Sequence, residues 1–385
     1  VAVNDWARIA NTTIKNYIRE REVNTLRNRK LTALLKKKGR YSFGWSGLSM
    51  NWRVKAKRVK PVPSSDGDIL VFDRKDRHKT AELPWRGYAA TDSMTKGEFL
   101  KNRNKEAIIR IYSTMAEDLM DDMEDQFSEE FYVNGYLPQN AKRMFGLDSF
   151  MAYAFWPNTF PGNATLTTAF NGSVQPTSVY GGLSCVPGYY GGTWVSAPLP
   201  DWPHGRGDTI YDFWSPIIVD YTDGLFSGGT GSAALGTWEQ NCVDAISFGF
   251  IKAKKSKSAK GQLDVVFMDD EMYRIYLKTL RTKERIMVER TANESPLIAM
   301  GFSDVVNQDG VDLTFEYGIP PDSAYGLNCD MMELRSQQAQ VFVPEGPDFD
   351  IASRSWRISV DFYGNVVFNP KFQVKWIDGS GVGGG

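Results

Sequence analysis

The sequence predicts an α+β fold with two conspicuous parts, a long amphipathic helix and a long polar two-stranded projection. Three observations carry this. Ile108, Tyr112, Met115, Leu119, Met123, Phe127 and Phe131 recur every three to four residues, the spacing of one apolar helix stripe. Residues 40–100 contain too few apolar positions for a core of their own and alternate as extended chain does. From about residue 215, short apolar runs alternate with amphipathic stretches, as in a mixed sheet-and-helix unit.

Taken in order, residues 11–38 read as mostly helical, with Gly39 after "LLKKK" as a stop preceded by cations in the last turn. "MNWRVKAKRVKPV" sets Trp52, Val54 and Ala56 against Arg53, Lys55 and Lys57, a strand with one wet face. "SSDGD" is a turn, "ILVFDRKDRHK" a second extended arm, and "LPWRGYAATD" the return. The long helix runs from about Asn104 to "VNGYLP", where Gly135 and Pro138 end it. Residues 155–236 hold 14 of the 35 glycines and 8 of the 18 prolines, so they read as an irregular insertion with the strand "SPIIVDY" near its end. A helix follows at "LGTWEQNCVDAISFGFIKAKK", then a buried strand and a helix in "QLDVVFMDDEMYRIYLKTLRTKE". Two strands frame a turn in "GVDLTFEYGIPPDSAYGLN". In the tail, Ile358, Val360 and Phe362 alternate up to an expected turn at "YGN", and "GSGVGGG" reads as flexible.

The composition excludes several classes. No apolar run is long enough to span a membrane. Cys185, Cys242 and Cys329 are odd in number and far apart, which suits a reducing compartment better than a disulfide framework or a zinc site. Because the chain opens at Val1, at least an initiator methionine is expected to have been removed. Two histidines leave little material for histidine chemistry: His78 lies in the polar arm and His204 in a Pro/Gly-rich loop. "GGTGSAALG" places Gly229, Gly231 and Ala234 as in a dinucleotide fingerprint, but too far past a strand, and reads as a loop. Asn307, Asp309, Gly310 and Glu316 imitate a calcium loop whose first position is Val305 and whose flanks are strands, so a β-turn is expected. Arg206–Asp208 spells an RGD tripeptide, read as chance. No catalytic, cofactor or metal site is expected.

Charge is the informative feature. Residues 1–60 hold sixteen Lys or Arg against Asp5, Glu20 and Glu22, whereas residues 111–141 hold no base. Within the latter, 116–131 carry eight carboxylates flanking the apolar stripe, read as a solvated or partner-facing side of the helix. Such polarisation implies that basic and acidic surfaces meet within the molecule or between copies, or that the basic end faces a polyanion.

The order of these elements resembles the major capsid protein of tailed bacteriophages. "SFGWSGLSMNWRVKAKRVKP" to "ATDSMTKGEF" is similar to that family's extended E-loop, and "NRNKEAIIRIYSTMAEDLMDDMEDQFSEEFYVNG" to the spine helix of its peripheral, or P, domain. "QLDVVFMDDEMYRIYLKTL" and "GIPPDSAYGLNCDMMELR" are similar to pieces of its axial, or A, domain, and "WRISVDFYGNVVFNPKFQVKWI" to its C-terminal return. The resemblance implies an N-terminal helical arm (1–39), an E-loop (40–101), a P-domain with spine helix (102–157), an A-domain (158–340) with a Gly/Pro/aromatic-rich insertion at 158–209, and a return to the P-domain (341–385). It also implies pentamers and hexamers closing an icosahedral shell around double-stranded DNA, assembled in the host cytoplasm. Portal, scaffolding and decoration proteins would be the partners, with no cofactor, membrane or enzymatic role. On this reading Arg53, Lys55, Lys57 and Arg58 in the arm, and Glu117, Asp121, Asp122 and Asp125 on the helix, are intersubunit contacts. An encapsulin-like compartment shares the fold, and a secreted carbohydrate-binding surface protein is the alternative from another class, prompted by the aromatics of 155–215.

Overall fold

A computed structural model describes residues 29–378 apart from 57–62, 68, 70–71, 73–76, 102–104, 152, 155–172, 177, 186–188, 191–192, 195–212, 223–225, 227–235, 256–261, 283–296, 301, 303 and 317. The start of the expected N-terminal helix, the "GGTGSAALG" loop, His204, the RGD tripeptide and the "GSGVGGG" tail lie outside the described residues.

The chain enters through α1 (Lys30–Lys37) and β1 (Tyr41–Ser42). The stop after α1 falls at Gly39, whose φ of 65° is the left-handed conformation. Arg40 N–H reaches back to the Leu35 carbonyl at 2.9 Å, closing the helix end as a Schellman turn does. The projection is the hairpin β2 (Ser49–Lys55) and β3 (His78–Pro84), followed by β4 (Arg86–Thr95) and the short α2 (Lys96–Lys101). The long helix is α3 (Lys105–Glu130); at 1.5 Å per residue it is about 39 Å long.

Short strands follow, β5 (Tyr153–Ala154) to β10 (Thr193–Trp194), of which β6 (Ser173–Pro176), β7 (Val179–Tyr180) and β8 (Leu183–Ser184) matter below. β11 (Ile217–Asp220), α4 (Trp238–Lys255), β12 (Val265–Met268) and α5 (Asp270–Thr282) come next. The last third is strand-rich: β13 (Val306–Gln308), β14 (Val311–Phe315), β15 (Ala324–Leu327), β16 (Met332–Ser336), β17 (Val343–Asp350), β18 (Ser355–Phe368) and β19 (Val374–Ile377). The calcium-loop imitation is a hairpin turn between β13 and β14, with Asp309 and Gly310 both at positive φ.

Two sheets organise the molecule. The larger has the order β13-β14-β12-β15-β19-β11-β6-β5, with β12 parallel to β14 and β11 parallel to β19. It is covered on both faces, which explains why "VVFM" is uniformly apolar. Val266 and Met268 join a core with α4 and α5 around Trp238, Tyr276 and Trp376, whereas Val265 and Phe267 join the main core on the other side.

The second sheet is built around β18. One edge of β18 pairs with β4 from Ser355 to Gly364; the other pairs first with β17 and then, from Gly364 onward, with β16. The expected turn at "YGN" is therefore absent. Tyr363, Gly364 and Asn365 stay in one 14-residue strand at the point where its neighbour changes. Gly364 is required by close approach, because a Cβ there would collide with the Arg335 carbonyl oxygen. Asn365 Oδ1 accepts the N–H groups of Phe145 at 3.2 Å and Val366 at 2.9 Å, stitching the strand to the chain beyond α3.

The main core lies between this sheet and α3. Phe127 is its centre, edge-on to Phe362 at 4.5 Å and Phe342 at 5.1 Å between ring centroids. The tail expectation for Ile358, Val360 and Phe362 holds, since all three face this core.

Candidate assembly interface

The projection alternates as its sequence does. Met50, Val54 and Ala56 are buried and Trp52 half-buried, while Asn51, Arg53 and Lys55 are exposed. β3 repeats the pattern, with Ala81 and Leu83 buried. In register, Arg53 faces Thr80, Lys55 faces His78 and Asn51 faces Glu82, so the outer face is polar along most of its length.

The inner face is covered by the chain's own β7–β8 turn. Trp52 lies 6.3 Å from Tyr180 and 6.5 Å from Trp214 between centroids. The Glu82 N–H donates to the Gly181 carbonyl at 3.1 Å. Tyr180, Leu183 and Cys185 thus belong to the main core, although they fall in the stretch read from the sequence as an irregular insertion. A Gly-Gly turn and scattered aromatics give no periodicity to reveal this. Toward the tip the character changes: Ile69 is 93% exposed and Phe72 91%.

The acidic helix face divides in two, contrary to the uniform solvated face expected. Asp122 and Asp125 are exposed and Glu117 and Asp121 half-buried, but Glu124 and Glu130 are buried at 4% and 1% exposure. Both lie on the apolar stripe in line with Met120, Met123 and Phe127, and that position is the signal that could have singled them out. Glu130 is fully used. Its Oε1 accepts from Arg143 Nε at 2.8 Å and Gln126 Nε2 at 2.6 Å, and its Oε2 from the Tyr88 hydroxyl at 2.7 Å. Burial, then the Glu130 charge, hold the Tyr88 hydroxyl well above the usual phenol range, so it stays a donor. This network fixes β4, the root of the projection, to the end of α3.

Among the described residues, no ion pair joins Arg53 or Lys55 to the α3 carboxylates. Lys57 and Arg58 lie outside the described residues. Asp125 instead pairs with Arg29, just ahead of α1, so one acid of the proposed set meets a base of its own chain. Also among the described residues, no group of His, Cys, Asp and Glu could hold a metal ion, and no helix is long and apolar enough to cross a membrane.

This arrangement, a long helix under a sheet, a second sheet with its two helices and the β2–β3 hairpin, is shared with a solved phage capsid chain. A chain of the cyanophage A-1(L) capsid asymmetric unit matches with a TM-score of 0.54 and 15% identity, over 88% of this chain and 90% of that one. The capsid chain of an empty GTA particle gives a looser match, with a TM-score of 0.49 and 9% identity over 90% of each chain. No family model matches the sequence, and no curated protein matches it. At this identity the shared property is the fold.

Proposed function

We propose that this chain is a major capsid protein, whose copies self-assemble as pentamers and hexamers into an icosahedral shell enclosing a double-stranded DNA phage genome. The observation that carries the reading is the capsid fold combined with a projection whose root is fixed and whose described residues Ile69 and Phe72, between its two strands, are exposed. Tyr88, Glu130 and Trp52 hold the root, while Ile69 and Phe72 leave apolar surface exposed at the far end. A hairpin held at its root, with exposed apolar side chains between its strands, is suited to contact with another copy. Different faces of one subunit meeting in this way close into rings.

In this reading Arg53, Lys55, Lys57 and Arg58 on the arm, and Glu117, Asp121, Asp122 and Asp125 on α3, contribute electrostatic contacts between copies. Asp125 shares its charge with Arg29. The chain's role is structural and its place is the virion, with portal, scaffolding and decoration proteins as further partners. The test is to purify particles formed by the expressed chain and its scaffold from infected or packaging-competent cells and treat them with nuclease. Nuclease-protected double-stranded DNA is the expected result. Closed particles filled with protein would replace the reading by the encapsulin-like one, and a discrete glycan-binding monomer would replace it altogether.

A further inference from the structure

The sheet built around β18 protects its outer strands unequally. β1 is two residues long, and β17 carries Pro344, Pro347 and a register break between Glu345 and Asp348. Short strands, prolines and bulges are the devices that keep an edge from pairing. β4 has none of them: its ten residues include no proline, and its register with β18 runs unbroken from Arg86 to Thr95. Among the described residues β4 pairs with β18 alone.

Two hydrogen bonds fix which backbone groups face the open edge. Lys96 N–H donates to the Arg354 carbonyl at 3.0 Å, continuing the β4–β18 register by one pair. On the opposite edge of β18, Gln337 N–H donates to the Tyr363 carbonyl at 2.9 Å. Because hydrogen-bonded and non-hydrogen-bonded pairs alternate, the even-numbered residues of β4 bond to β18. Gly87, Ala89, Thr91 and Ser93 therefore aim their N–H and C=O groups at the open edge. Their side chains share one exposed face, while Arg86, Tyr88, Ala90, Asp92 and Met94 share the other, on which Tyr88 reaches Glu130 of α3. Two charges on this second face lack an opposite charge among the described residues. Arg86 stacks on Phe145 at 4.9 Å, and its Nε is buried without an acceptor. Asp92 is exposed and accepts the N–H of its neighbour Ser93 at 2.7 Å.

We propose that β4 pairs antiparallel with β4 of a second copy about a two-fold axis at Ala89, bringing Arg86 of each copy opposite Asp92 of the other. Antiparallel pairing through the open edge needs odd-numbered residues opposite odd-numbered ones. The register centred on Ala89 meets that condition, setting Ala89 against itself and Gly87 against Thr91. Arg86 and Asp92 then fall in non-hydrogen-bonded pairs, where side chains stand closest. A slip of two residues would put Arg86 opposite Ala90 or Met94 and lose both ion pairs. Such a contact is isologous and joins subunits two by two, unlike the head-to-tail contacts that close a ring. In the proposed shell it links subunits of neighbouring rings, and to that extent it rests on the capsid reading.

The test places Ala89→Cys and, separately, Ser93→Cys in the full chain and treats both soluble subunits and particles with a short bismaleimide. The native thiols of Cys185, Cys242 and Cys329 are buried. In the proposed register the two copies of residue 89 stand about 5.5 Å apart. The two copies of residue 93 stand roughly 27 Å apart along the strand. Covalent dimers are expected from Ala89→Cys and not from Ser93→Cys. Adding Asp92→Arg to Ala89→Cys should lower the dimer yield about tenfold, because it sets like charges opposite each other twice. Adding Arg86→Asp as well should restore the yield. The proposal is overturned by no dimer from Ala89→Cys, by equal dimer from Ser93→Cys, by a yield unmoved by Asp92→Arg, or by a folded Arg86→Asp that restores nothing. If Arg86→Asp does not fold, the contrast between residues 89 and 93 carries the test alone. Dimers from a chain that forms no shells keep this pairing and remove the capsid reading, whereas shells without a link through residue 89 do the reverse.

Discussion

The large sheet and the β2–β3 hairpin solve the same problem in opposite ways. In the sheet, neighbouring residues of one strand serve two cores: Val265 and Phe267 face one way, Val266 and Met268 the other, and all four are buried. In the hairpin, Met50, Val54, Ala81 and Leu83 face the chain's own Tyr180 and Trp214 region, and the opposite face carries Arg53 and Lys55 into solvent. The first region stabilises the subunit. The second is stabilised by it on one face and leaves the other face exposed.

Substitutions can break or sharpen this contrast. The largest effect is expected at Trp376, which is fully buried, donates Nε1–H to the Ala245 carbonyl at 2.8 Å and packs on Gly249. Trp376→Ala should cost about 3–5 kcal/mol in a urea unfolding experiment, through the cavity and the lost hydrogen bond. Glu130→Gln comes next, at about 1–3 kcal/mol, because it discharges one end of the Arg143 pair and forces the amide into a site built from three donors. That variant should also loosen the root of the projection, seen as faster proteolysis between β2 and β3.

Trp52→Ala is expected to cost about 1–2 kcal/mol, less than a core tryptophan because Trp52 is half-buried. Its proteolytic signature should be confined to the hairpin. If instead it lowered global stability as much as Trp376→Ala, the hairpin would be part of the folding core and the contrast would fail. The smallest stability effect belongs to Arg53→Glu with Lys55→Glu, within about 0.5 kcal/mol for exposed positions.

How much of this was legible depended on whether the deciding contact was local. α3 was visible because its apolar residues repeat at helical spacing, and the stops at Gly39 and the Asp309–Gly310 turn because each needs only a few adjacent residues. The continuation of β18 through Tyr363, Gly364 and Asn365 was not visible. A glycine beside an asparagine signals a turn locally, and only the change of partner from β17 to β16 explains a straight strand there. The covering of the hairpin by Tyr180 and Trp214 joins residues more than a hundred positions apart and leaves no pattern in either segment.

The candidate interface was legible in part for the same reason. The sequence gives the alternation that puts Arg53 and Lys55 on the wet face. It does not separate Glu124 and Glu130, which are buried on the stripe of α3, from Asp122 and Asp125, which are exposed beside it. Charge identifies the helix, and packing sorts its carboxylates.

The most direct test of the central claim, that the subunit folds on its two cores and assembles through the outer face of the projection, is negative-stain electron microscopy with a matching sizing column. The wild-type chain and the Arg53→Glu/Lys55→Glu variant would be compared in the presence of scaffold. The account predicts closed shells or capsomer rings for the wild type, and a folded subunit of unchanged unfolding midpoint but few or no shells for the variant. Normal shells from the variant, or a wild-type chain that remains a small monomer at high concentration, would contradict it.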